Sequence, residues 1–99
     1  MVNVLAIITT KPGLRDTVLQ AFRANMAAVH AEDGCIEYNY AEDVLDPGLI
    51  RVSEVWESRA QLGAHMKTPH MAVWAAERTA LGLSGRAITV FEADAGQAL

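Results

Sequence analysis

The stretch VNVLAIITT, Val2 to Thr10, constrains this chain more than any other. It is apolar or β-branched at nearly every position, so it reads as a strand that is apolar on both faces and must be covered on both. Ninety-nine residues make one domain, 1–99. A domain of that length buries only roughly two-thirds of its unfolded surface. Yet 52% of the residues are hydrophobic, more than a lone small domain can hide. Part of that surface is therefore expected to lie against a second copy of the chain.

The remaining elements follow from periodicity. Lys11-Pro12-Gly13 ends the first strand. Leu14, Val18, Phe22, Met26 and Val29 then recur at helical spacing, with Arg15, Asp16, Gln20 and Arg23 on the other side. This helix ends between Ala31 and Gly34. Cys35 to Asp43 reads as a strand in which Ile36, Tyr38 and Tyr40 alternate with Glu37 and Asn39. Asp46-Pro47-Gly48 is a turn signal. Leu49 to Trp56 is the next strand, with Ile50, Val52, Glu54 and Trp56 on one face, and the short connection predicts an antiparallel hairpin.

Ser58-Arg59-Ala60-Gln61 fits a capping box, and Thr68-Pro69 places a Thr N-cap before a proline at the first helical position. Two short helices are predicted, Arg59 to Met66 and Pro69 to Leu81. Ser84-Gly85 turns the chain into a last strand, Ala87 to Glu92, followed by a small, polar tail. The order β-α-β-β-α-β is the split βαβ pattern of the α+β ferredoxin-like fold. Its helices cover one sheet face. Two sheets packed across a two-fold axis would cover the other, giving a homodimeric α+β barrel.

The formal net charge is −4 and no basic run occurs, which argues against nucleic acid and against a membrane surface held by charge. No apolar run approaches the roughly 20 residues that cross a bilayer. Cys35 is the only cysteine, so no internal disulfide exists, and the N-terminus lacks the features of a signal peptide. A cytoplasmic protein is expected.

The candidates for chemistry cluster in WESRAQLGAHMKTPH, Trp56 to His70. Leu62, His65 and Met66 share one helical stripe, so His65 points inward, toward the side of the sheet that carries Trp56. It is either a core histidine bonded to a backbone carbonyl or a general base in a pocket. His70, second in its helix, reads as a capping or loop-contacting group. Trp56 and Trp74 are core or pocket wall. Glu54 is either paired with Arg51 or Arg86, or a perturbed acid in a cleft. Tyr38 and Tyr40 can present hydroxyls to the same space. A metal is not expected: His65 and His70 are five apart, zinc helices use i,i+4 pairs, and no acidic residue or cysteine lies close in sequence to complete a set.

The pattern WES-x-x-x-L-x-x-H-x-x-T-P-H, together with KPG after the first strand and Gly34, Cys35 and Tyr38 opening the second, resembles the antibiotic biosynthesis monooxygenase domain family, in particular its small bacterial quinol monooxygenase members. The resemblance covers nearly the whole chain. It implies oxygenation by O2 of an electron-rich phenol or hydroquinone to a quinone, with no cofactor. It also implies His65 as base or anion partner and Trp56 as a wall or indole donor, the two catalytic candidates, while Tyr38, Tyr40, Glu54, His70 and Trp74 are the candidates around a small aromatic substrate. Haem-degrading relatives are disfavoured, because Ala75 stands where their histidine ligand falls and Asn3 is displaced from their strand-one Asn. A branch that isomerises a phosphorylated sugar shares H-x-x-T-P-H and would need a phosphate cradle, for which Lys67 and Arg86 are available. A ligand-binding dimer without catalysis is the remaining alternative.

Overall fold

The computed structural model describes residues 1–83 and 85–99. Its elements run β1 (Val2–Thr9), α1 (Arg15–His30), β2 (Cys35–Glu42), β3 (Leu49–Trp56), α2 (Arg59–His65), α3 (Pro69–Ala80) and β4 (Gly85–Glu92). They form one antiparallel sheet in the order β2-β3-β1-β4. This is the ferredoxin-like arrangement, with its second helix divided in two.

The division is local chemistry. Ser58 adopts an extended conformation and its hydroxyl accepts the Gln61 amide, which starts α2. The Gln61 side chain does not close the reciprocal half of a capping box. It meets the Ser58 hydroxyl, Asp33 and Glu57 instead. Thr68 stands at the N-cap of α3 and Pro69 follows it, but the Thr68 hydroxyl donates to the His65 carbonyl, 2.8 Å away. That bond ties the end of α2 to the start of α3 and sets the angle between His65 and His70. The predicted turn at Ser84-Gly85 falls on Ser84, outside the described residues.

Residues of even number in β1 and β3 face the helices. Val2, Val4 and Ile8 pack there with Ile50, Val52 and Trp56. One cluster joins Ile8, Ile50 and Val52 to Val18, Phe22 and Trp74, and a second joins Val2, Val4 and Trp56 to Val29 and Tyr38. Each large apolar side chain fully buried this way contributes roughly 1.5–3 kcal/mol. Leu5, 55% exposed, and Phe91, 47% exposed, lie on the opposite sheet face, which no helix of the described residues covers.

β2 departs from simple alternation. Its pairing with β3 shifts between Cys35 and Glu37, a bulge that puts Cys35 opposite Trp56 and leaves Ile36 47% exposed. Ile36 therefore does not share the face of Tyr38 and Tyr40, contrary to the sequence pattern. Gly34, with φ +80°, makes the entry to β2 possible. A Cβ at this position would stand 2.8 Å from the Gln61 Cβ. No described helix is long and apolar enough to cross a membrane.

A buried histidine between two carboxylates

α2 ends at His65, and the stripe it shares with Leu62 turns its imidazole beneath the sheet, where it is 1% exposed. The ring lies 4.6 Å from that of Trp56, tilted by 34°, and 5.5 Å from Tyr38. Among the described residues, no backbone carbonyl holds it. His65 Nδ1 faces the Glu32 carboxylate at 2.9 and 3.1 Å. The same carboxylate meets His70 Nε2 at 2.8 Å. A carboxylate only accepts, so both ring nitrogens that touch Glu32 donate. When His65 is neutral, its Nε2 is therefore the unprotonated nitrogen. It faces Glu54 Oε1 at 4.0 Å, too far for a hydrogen bond.

Glu54 is not paired with Arg51, which instead binds Asp43. Its Oε1 accepts the Trp56 indole N–H at 2.9 Å. Burial raises the Glu54 carboxyl above its ordinary range, against the pull of the Trp56 bond, of His65 and of Arg86. The hydroxyls of Tyr38 and Tyr40 bond to each other. Burial pushes Tyr38 up to about 12 and raises Tyr40 as well, so both remain neutral donors. Tyr40 stacks on Phe22 at 3.8 Å, and Phe22 leans on Trp74.

These groups border a cavity of about 50 Å³ between the sheet and α2–α3. Its lining includes His65, Glu54, Tyr38, Tyr40, Trp74 and the flexible Met66 and Met71. Two arginines, Arg78 on α3 and Arg86 on β4, complete the wall. Trp56 and His70 do not line the cavity. The indole forms the back of the His65 ring and holds Glu54, and His70 carries the Glu32 contact outward to the surface. Lys67 takes no part in the lining.

Sequence reasoning missed Glu32 and Arg78. Glu32 is the acidic third member that the sequence does not show near the two histidines. It is far away in the chain and brought close by the end of α1. Its oxygen and the two imidazole nitrogens lie within 4.8 Å of one another, the spacing of a possible cation site. Both imidazoles already contact Glu32 at hydrogen-bond length, so the three groups satisfy each other as they stand.

Together these features define a small α+β domain with a buried histidine–carboxylate centre beside an aromatic cavity. A model of the antibiotic biosynthesis monooxygenase family matches residues 1–77, and the chain belongs to that family. It is similar to the Escherichia coli protein named probable quinol monooxygenase YgiN, with 37% identity over 84 residues that cover 75% of this chain and 81% of the relative. Among solved structures, one from Deinococcus radiodurans has the same fold, with a TM-score of 0.92, 22% identity and coverage of 100% and 98% of the two chains. PA3566 from Pseudomonas aeruginosa is 30% identical, with a TM-score of 0.84 and coverage of 95% and 94%.

Proposed function

We propose that this protein oxygenates a phenol or hydroquinone to a quinone with O2 and without a cofactor, using His65 as the base. The observation that carries this reading is the placement of His65. Its Nδ1 is committed to Glu32, and its free Nε2 borders the cavity opposite Glu54. A hydroxyl oxygen about 2.8 Å from both groups would bridge the 4.0 Å between them. There it can give its proton to Nε2. A protonated Glu54, favoured by burial, can donate to the resulting oxyanion.

The deprotonated ring is electron-rich enough to give one electron to O2. The two radicals then combine at a ring carbon. For a phenol, one oxygen atom stays on the ring as the second carbonyl and the other leaves as water; for a hydroquinone, the retained atom becomes the hydroxyl of a hydroxyquinone and the other again leaves as water. All four electrons come from the substrate. The imidazolium that forms stays paired through Nδ1 with the Glu32 carboxylate. The name of the E. coli relative supports the same chemistry.

The cavity admits about two waters as it stands. A ring enters by swinging Met66 and Met71 aside, which unbranched methionines do readily. The open sheet face with Leu5 and Phe91 supports assembly as a homodimer, the second copy covering what the helices leave bare.

The test is an oxygen electrode with a panel of hydroquinones and naphthols, in chelator and without flavin. Stoichiometric O2 uptake with one atom of labelled O2 carried into the quinone product supports the reading. A protein that accelerates none of the panel above its background autoxidation refutes it.

A further inference from the structure

Charge is distributed unevenly around the cavity. The chain has 12 acidic and 8 basic residues, so cations are scarce and carboxylates are plentiful. Arg15, Arg51 and Arg59 each pair with a carboxylate. Arg78 and Arg86 both line the cavity, yet no carboxylate oxygen of the described residues lies within 4.0 Å of either. They come from different elements, helix α3 and the edge strand β4, and converge on one space. The Arg78 guanidinium also lies over the Trp74 ring, 5.9 Å from its centroid, which fixes its stem against the aromatic wall.

We propose that Arg78 and Arg86 form an oxyanion subsite, so that the substrate of this cavity carries a carboxylate or phosphate in addition to the group that meets His65. This rests on the reading of His65 and Glu54 as the reacting end. The cavity then has two chemically opposite ends. His65 Nε2 as acceptor and protonated Glu54 as donor take a hydroxyl, and a pair of guanidinium forks takes an anion. Burial and the neighbouring Arg86 charge depress Arg78, the penalty expected of two like charges left without a counter-ion. A bound anion would relieve that repulsion. An apolar, uncharged quinol would leave it in place and desolvate it further.

The experiment compares ligands that differ only in charge. Binding of 2,5-dihydroxybenzoate and of its methyl ester is measured anaerobically at neutral pH by quenching of tryptophan fluorescence. The proteins are the wild type, Arg86→Gln and the Arg78→Gln/Arg86→Gln pair. The acid is expected to bind about tenfold more tightly than the ester to wild type, with a preference that shrinks in salt. The preference is expected to weaken in Arg86→Gln, an exposed strand position that tolerates the change, and to vanish in the double variant. Equal affinity for acid and ester in wild type overturns the proposal, as does a preference that survives both substitutions.

Dihydroxyacetone phosphate is the third probe. Arginine-dependent binding of it in preference to the benzoate keeps the subsite and assigns it to a phosphorylated sugar. Oxygen uptake is read separately. Charge-selective binding without O2 consumption keeps the subsite and removes the oxygenase reading. O2 consumption with equal KM for acid and ester does the reverse.

Discussion

Replacing Glu32 by Gln tests the centre most sharply, because the change keeps the shape and removes one chemical property. Glu32 accepts from His65 Nδ1 and from His70 Nε2. A glutamine has one acceptor oxygen and one donor nitrogen, so it satisfies one imidazole and opposes the other with an N–H facing an N–H. A hydrogen bond to a charged acceptor is worth about 1.5–3 kcal/mol. Losing one of the two at a side chain only 12% exposed is therefore expected to cost about 2 kcal/mol. For a domain of about 100 residues that lowers Tm by roughly 8–16 °C. Differential scanning calorimetry reads the shift. Nitrogen NMR of the imidazoles reads the protonated Nδ1 of His65, which is expected in wild type and lost or exchanged with Nε2 in the variant. A Tm within 2 °C of wild type, with the His65 tautomer unchanged, would show that Glu32 does not hold the ring and would refute the reasoning.

Glu54 gives a prediction with a sign. Its carboxyl is raised by burial, so the stability associated with its protonated form is present below the ordinary glutamate range and is lost as pH rises through the folded value. Glu54→Gln keeps the acceptor for Trp56 and cannot ionise. The variant should match wild type in Tm near pH 4 and exceed it increasingly toward pH 8, whereas a constant difference would count against a buried, raised acid. Trp56→Phe removes the indole N–H from Glu54 and is expected to cost about 1 kcal/mol by urea denaturation, with Glu54 raised further. Gly34→Ala forces a positive φ on an L-residue and drives a methyl into Gln61, so a loss of about 1–2 kcal/mol is expected, and an unchanged midpoint would contradict the described approach. Leu5→Asp on the open sheet face is expected to turn a dimer into a folded monomer by light scattering, and an unchanged dimer would place the interface elsewhere.

The order of elements was legible because each relies on short-range chemistry. The apolar run of β1, the stripe of α1 and the Ser58 and Thr68-Pro69 starts each specify their own segment. The inward direction of His65 was legible for the same reason, since a helical stripe fixes it. What the ring meets was not. Glu32 is 33 residues from His65, and no local pattern joins them. One signal was available: an acidic residue just beyond the C-terminus of α1 sits at the unfavourable end of the helix dipole, and so calls for a partner. Arg78 carried a similar signal, being a charge on the stripe that runs through Met71 and Trp74. Ile36 misled because a bulge adds a residue to one strand and reverses the alternation beyond it, which composition does not register. The role of Trp56 as the support of Glu54 rather than part of the cavity wall depends on where an indole nitrogen points, and only coordinates supply that.

The central claim is that His65 Nε2 takes the substrate proton. His65→Asn retains a donor toward Glu32 at the position of Nδ1 while deleting Nε2, so the scaffold is kept and the base is not. Oxygen uptake with a hydroquinone that wild type consumes is the measurement. The account predicts a fall in kcat of about 10²–10⁴ with the folded state intact by circular dichroism. A folded variant that consumes oxygen at the wild-type rate would contradict it.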